Sequence, residues 1–181
     1  MSSDFEVVKN ETLLSCYAFE VVRKTISHAG NLYHRDIAAH RGAVAVVAQR
    51  DDGRVALLRQ YRASFDAVIW EIPAGTLDKA GERALEAAQR ELLEEIGCTS
   101  SDWSDLGAFM VSPGWTNQVM QLFMARSVSF SEAAPSGPEE SAMTVHWLTL
   151  QEIRDLLISR ELLDSSLSIG LARSFGAQLY S

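Results

Sequence analysis

The chain has 181 residues, 47% of them hydrophobic and 22% charged, so it can bury a sizeable core without staples and fits one domain with a short appendage. Its net charge of −8 argues against a nucleic-acid backbone as partner, because such binding relies on clustered Lys and Arg. Two cysteines without a CxxC exclude a disulfide framework and fit a reducing cytoplasm, the polar, acidic start is not a secretory signal, and no apolar run has membrane-spanning length.

Residues 5–26 alternate loosely around Val7, Val8, Tyr17, Phe19, Val21 and Val22, which predicts short strands. AVAVVA over 43–48 follows Gly42 and reads as a buried strand. Asp51-Asp52-Gly53 supplies a turn, and Val55–Arg59 the returning strand. Trp70–Ile72 is a short strand stopped by Pro73, and Gly75–Gly81 a loop. Residues 82–96 form the clearest helix, ended by Gly97. Strands are expected at 106–111, 119–124 and 143–148, and helices at Gln151–Ser159 and about 165–179. Ser129–Ser141, rich in Ser, Pro, Ala and Glu, reads as a loop. This order suggests a mixed-sheet α/β or α+β sandwich.

The chemistry lies in Gly75–Cys98, GTLDKAGERALEAAQRELLEEIGC. At about 100° per residue, Leu85, Ala88, Leu92 and Ile96 share the core-facing stripe. Glu91, Glu94 and Glu95 cluster beside it at spacings of three and four. Like charges at these spacings cost roughly 0.2–0.5 kcal/mol per pair, and negative charge near a helix C-terminus is unfavourable as well. A solvated helix face would explain a bare ExxEE. Three carboxylates crowded against local stability instead point to a hard divalent cation such as Mg²⁺. Ala84 and Ala87 lie on the same side and leave room for a bulky ligand. Arg90 can reach Glu94 and Glu86, each four residues away, and would orient the glutamates rather than touch substrate.

This stretch resembles the signature of the Nudix hydrolases through Gly75, Glu82, Arg90, Glu91, Leu92, Glu94, Glu95, Gly97 and Cys98. One departure is visible: six residues, Thr76–Gly81, separate Gly75 from Glu82, where the family usually has five. The extra residue falls in the loop. The resemblance implies an α/β (α+β) fold: a Nudix-type α/β/α sandwich with a mixed sheet over 41–181, plus a small N-terminal β-strand region over 1–40. It implies Glu91 and Glu95 as principal metal ligands, Glu94 assisting, the Ala74 carbonyl as a further ligand, and Glu82 acting through water or hydrogen bonds. The implied cofactor is Mg²⁺, with Mn²⁺ as an alternative, and the implied reaction is attack of water on a diphosphate phosphorus.

Outside the motif the chain resembles the ADP-ribose pyrophosphatase branch, especially its bacterial dimeric members, from about Phe5 to Leu171. Pro113 stands fifteen residues beyond Cys98, within Ser112-Pro113-Gly114, where that branch carries a Pro. Arg59-Gln60-Tyr61-Arg62 resembles a segment that brings an Arg to the diphosphate, and Arg62 suits that bidentate grip. Arg35-Asp36 corresponds to an Arg-acid pair lining the site, and Glu71 to a substrate-contacting Glu. Pro138-Glu139-Glu140 resembles an acidic loop that delivers a catalytic glutamate, which implies Glu140, or Glu139 beside it, as the general base. Asn117 and Gln118 stand where the family has acids, and Ala142 where relatives often have one; the ribose end of the specificity is the part this touches. Phe5, Tyr17 and Phe19 are candidates to stack on the base. His28, His34, His40 and His146 show no ligand spacing. In similar dimers the N-terminal part crosses to the partner, which implies a homodimer. Expected is Mg²⁺-dependent hydrolysis of ADP-ribose to AMP and ribose 5-phosphate in the cytoplasm, with neither nucleic acid nor membrane as partner. Another nucleoside diphosphate sugar, and a non-catalytic Nudix-fold nucleotide sensor, stay open as alternatives.

Overall fold

A computed structural model describes residues 4–131, 141–159 and 161–179. It divides into two compact units, Met1–Gly42 with Met110–Val119, and Ala43–Phe109 with Met120–Ser181.

The first unit is an antiparallel meander of β1 (Glu6–Ser15), β2 (Glu20–His28) and β3 (Asn31–Ala39), in that order. β3 lies within the N-terminal β-strand region expected over 1–40, beyond the strands expected over 5–26. Two features build it. Ala29 and Gly30 both take positive φ, 49° and 75°, the two-residue turn whose twist suits a hairpin. Across β2 and β3, Arg23 faces Asp36 and Thr25 faces His34, both pairs hydrogen-bonded through their side chains, beside the apolar pairs Val22–Ile37 and Ile26–Tyr33. The 110–119 segment fastens to the end of β3: the Ala38 amide donates to the Trp115 carbonyl at 2.9 Å, and the Thr116 hydroxyl donates to the Ala38 carbonyl at 2.7 Å.

The second unit is an α/β/α sandwich, as the motif implied. Its central strand is β4 (Ala43–Ala48), parallel to β10 (Val119–Arg126) and antiparallel to the short β7 (Ala74–Thr76), with β9 (Asp102–Met110) beyond β10. A second sheet runs β12 (Thr144–Leu148), β5 (Val55–Arg62), β6 (Ala67–Glu71). A two-stranded pair joins β8 (Cys98–Thr99) and β11 (Ser129–Phe130). The helices are α1 (Ala84–Ile96), α2 (Leu150–Ile158) and α3 (Ser165–Phe175), the last running into a 3₁₀ turn, Gly176–Leu179. No helix among the described residues is long and apolar enough to cross a membrane.

All six residues of β4 are buried. Val44, Val46 and Ala48 meet Ala87, Ala88, Leu92 and Ile96 of α1 in one core cluster. Ala87 is therefore a core residue, not an opening for ligand as its sequence position suggested. On the other side, α3 brings Gly170 against Val47, Ile72 and Leu122. A Cβ there would lie 2.9 Å from Val47 Cγ2 and 3.1 Å from Ile72 Cδ1, so helix and sheet approach as closely as a glycine permits. α2 opens on a reciprocal cap, with Glu152 N–H donating to Thr149 Oγ1 and Thr149 N–H to Glu152 Oε2.

Two strand boundaries differ from those expected. β9 begins at Asp102 rather than 106, because Gln121 of β10 donates to the Asp105 carboxylate. β7 forms inside an expected loop because Ala74, Gly75 and Thr76 pair with Ala45, Val44 and Ala43.

Gly170→Leu should destabilise the fold by about 1–3 kcal/mol through overpacking, read as a lower urea midpoint with an unchanged slope. An unchanged midpoint would contradict this close approach.

Candidate active site

The expected helix start at Glu82 gives way to Ala84, with Arg83 as an extended N-cap. Glu86 fastens this start: its carboxylate accepts the Arg83 amide at 3.0 Å and the Arg83 guanidinium at 2.9 and 2.7 Å. The other end stops at Gly97, left-handed at φ 62°, whose N–H donates to the Leu93 carbonyl.

Glu82, left outside the helix, turns back to Arg90. The Arg90 guanidinium donates to both Glu82 oxygens at 2.9 and 3.0 Å, to Glu91 Oε1 at 2.5 Å and to Glu94 Oε2 at 3.0 Å. The expected contact with Glu86 does not form, because Glu86 is held by Arg83. Two residues of the lengthened loop join this network: Asp78 lies 3.6 Å from Arg90, and Lys79 3.9 Å from Glu94. The Glu82 hydrogen bonds, followed by the nearby carboxylates, hold Arg90 charged well beyond its ordinary range. Arg90 in turn lowers the Glu82 carboxyl below its usual value of 4.5.

Glu91 and Glu95 retain only 9% and 6% of their exposure. A carboxylate taken out of water is costly unless something replaces the water. Arg90 does so for Glu91, and the Ala74 amide for Glu95, donating to Oε2 at 2.9 Å. Gly75 makes the packing possible. A Cβ at that position would fall 2.0 Å from the Glu91 carboxyl carbon. The helix carboxylates thus close directly on the backbone of β7.

A second buried charge lies just ahead of β7. Glu71, 7% exposed, accepts Arg62 Nε and Nη2 at 2.8 and 2.6 Å, a bidentate pair. Burial still outweighs Arg62 and pushes the Glu71 carboxyl up. Three residues of chain join Glu71 to Ala74, so their Cα atoms are at most about 10–11 Å apart. The Arg62–Glu71 pair and the acidic cluster are therefore neighbours.

The first unit carries its own concavity, an open groove of about 510 Å³ lined by residues that include Lys24, Arg35, Pro113, Gly114 and Gln118. Lys24 and Arg35 face each other across β2 and β3. Asp36 does not join them. Adjacent strand residues point to opposite faces, and Asp36 pairs bidentately with Arg23, both bonds 2.7 Å. The Arg35-Asp36 pair expected from sequence is thus split between two faces. Glu139 and Glu140 lie outside the described residues. Asp78, Lys79 and the contact between Gly75 and Glu91 were not anticipated; the extra loop residue was their one sequence trace.

Residues 39–165 match the family model described as the NUDIX domain. The chain belongs to the Nudix family. It is similar to the ADP-ribose pyrophosphatase of Mycobacterium tuberculosis, with 32% identity over 90% of this chain and 79% of that one. The ADP-ribose pyrophosphatase of Bacillus subtilis is 37% identical over 75% of this chain and 73% of its own length. A crystal structure of an ADP compounds hydrolase superposes with a TM-score of 0.80 at 22% identity, covering 94% and 92% of the two chains, which shows the common fold. The chain is accordingly a Nudix hydrolase, and enzymes of this family generally need a divalent metal.

The donor set suits such an ion: Glu91, Glu94 and Glu95 offer only hard oxygens, and Gly75 leaves the cradle in which the Glu91 carboxylate rests. Among the described residues, no three acidic, imidazole or thiol side chains already form a cation cage. Arg90 holds Glu91 and Glu94 instead, and the Ala74 amide holds Glu95.

Gly75→Ala should displace the Glu91 carboxylate, lowering turnover about 10- to 100-fold while circular dichroism keeps the native spectrum. Full activity would contradict the cradle. Glu82→Gln tests the Arg90 network by pH. Because the folded state lowers the Glu82 carboxyl, its stabilisation is complete above the ordinary carboxylate value and is lost as pH falls through the lowered one. Wild type should therefore exceed the variant in unfolding midpoint at pH 7, and the gap should close in acid. A gap independent of pH would assign the effect to packing.

Proposed function

We propose that this Nudix hydrolase cleaves the diphosphate of ADP-ribose with Mg²⁺, giving AMP and ribose 5-phosphate; Mn²⁺ is the alternative ion. The observation that carries the reading is the set of acids on one helix, Glu91 and Glu94 held by Arg90 and Glu95 held by the Ala74 amide, and the similarity to two ADP-ribose pyrophosphatases supports ADP-ribose as the substrate. Another nucleoside diphosphate sugar is the alternative.

Glu91, Glu94 and Glu95, with the Ala74 carbonyl, would hold the ion. Bound there, a divalent cation neutralises charge on phosphoryl oxygens and lowers the pKa of water. Arg90 keeps the glutamates in register. Arg62 grips the diphosphate, leaving Glu71 to turn toward substrate. Arg35, Pro113 and Gly114 contribute the groove of the first unit, and Asp36 supports it through Arg23. Glu140, with Glu139 beside it, takes the proton of the attacking water as general base. The oxygen of that water ends on one phosphate, and the bridging oxygen leaves with the other.

The N-terminal unit is the dimer-forming part in this reading. Its sheet leaves Val7, Val8, Leu13, Leu14 and Leu32 exposed on the single chain, the kind of surface a homodimer with strand exchange would cover. The free thiols of Cys16 and Cys98 accord with a reducing cytoplasm.

The deciding experiment is product release from ADP-ribose, ADP-glucose and GDP-mannose, each with Mg²⁺ and with EDTA. AMP release from ADP-ribose, abolished by EDTA and well above the other two, is expected. Preference for another member would keep the hydrolase and discard ADP-ribose. Metal-independent binding of one member without turnover would support the nucleotide sensor. In the same assay Glu95→Gln should lose about 100-fold or more in turnover with its unfolding midpoint kept or raised, since one like charge is removed. Glu140→Gln should lower kcat about 10²- to 10⁴-fold with a smaller change in KM; an unchanged kcat would move the base elsewhere.

A further inference from the structure

Gln60 lies in β5, and the reading above leaves its chemistry unused. It is 3% exposed, and its Oε1 is a buried acceptor without a hydrogen-bond partner among the described residues. A buried acceptor left unpaired is destabilising, and persists in native proteins where a function or a bound donor accounts for it.

Strand register shows what lies over it. β5 and β6 pair Arg62 with Ala67, Gln60 with Ile69 and Leu58 with Glu71. Side chains two apart on a strand share a face, so Leu58, Gln60 and Arg62 point the same way, as do their partners Glu71, Ile69 and Ala67. Arg62 nevertheless bonds Glu71. Its side chain must run back along the strand over the Gln60–Ile69 pair to do so. Gln60 is therefore the floor beneath the Arg62–Glu71 bridge, and the two Arg62 nitrogens that bond Glu71 leave its amide oxygen unserved.

We propose that Gln60 is a specificity-determining residue, its amide oxygen held for a sugar hydroxyl of the substrate. The proposal rests on the reading of Arg62 as the diphosphate grip. When Arg62 leaves Glu71 for the diphosphate, the floor is uncovered. Residues i and i+2 on one face are about 6.7 Å apart, so an acceptor two residues from the phosphate-binding Arg meets the sugar adjoining that phosphate. The donor it fits is a neutral hydroxyl. A phosphate oxygen would repel the amide oxygen. A substrate lacking that hydroxyl would leave the acceptor buried and unpaired again, which is how such a site rejects an analogue.

The test is a cycle between Gln60→Met, which keeps the length of the side chain and removes its acceptor, and a set of ADP-ribose analogues each lacking one ribose 2- or 3-hydroxyl. Wild type and variant are compared in kcat/KM with Mg²⁺, in substrate affinity by calorimetry with EDTA, and in unfolding midpoint. Gln60→Met should keep or raise the midpoint and lose at least about tenfold in kcat/KM on ADP-ribose. One deoxy analogue should lose a similar factor with wild type and nothing further with the variant. Equal kcat/KM for the two proteins overturns the proposal while leaving the hydrolase intact. So does full additivity with every analogue, or a lowered midpoint that accounts for the loss. A wild type that binds ADP-ribose without hydrolysing it sinks the reading of ADP-ribose as the hydrolysed substrate, and the calorimetric comparison then decides Gln60. Failure of wild type to bind or cleave any of the set overturns both.

Discussion

The burial of Glu91 and Glu95 is the constraint on which the rest of this structure depends. Two carboxylates from one helix are taken almost entirely out of water, beside a third, Glu94, near the helix end where the backbone dipole already disfavours negative charge. Propensity and capping cannot supply what they need. Arg90 supplies it from the same helix and the Ala74 amide from β7. Each solution imposes a further requirement. Arg90 draws Glu82 out of the helix as a second partner, and β7 has to approach so closely that position 75 carries no side chain.

That demand extends to the layers. For β7 to meet α1, β4 is buried on both faces, with α1 over Val44 and Val46 and α3 over Val47. Gly170 in α3 repeats the device of Gly75 on the opposite side of the sheet. Small residues mark the two places where a helix reaches the sheet backbone or its side-chain tips without clearance. One serves a carboxylate and the other serves packing. The Arg62–Glu71 pair applies the same logic one strand away, with burial outweighing a bidentate partner and pushing the Glu71 carboxyl up.

Periodicity made the central strand, the motif helix and the sandwich legible, because a fully apolar run and a 3.6-residue stripe each have one stable environment. The carboxylate crowding was legible as a violation of local stability. Partnerships were not. Arg90 is equidistant in sequence from Glu86 and Glu94, and only the capping of Glu86 by Arg83 leaves Glu82 as the actual partner. The bounds of β3 were not legible because its cross-strand pairs mix polar and apolar residues and its turn is Ala29-Gly30, without the Asn-Gly or Asp-Gly that announces a hairpin. Arg35 and Asp36 are adjacent in sequence, yet alternation along β3 sends them to opposite faces. The depth at which Gln60 lies has no sequence sign, since it stands within Arg59-Gln60-Tyr61-Arg62.

The central claim is that the acidic face of α1 is a divalent-cation site assembled by Arg90 and Gly75. Its most direct test is titration with Mn²⁺ without substrate, followed by the electron paramagnetic resonance signal of the free ion, for wild type and Glu91→Gln. The account predicts saturable binding by wild type, weakened at least about tenfold in the variant with the unfolding midpoint retained. Equal Mn²⁺ affinity in the two proteins would contradict it.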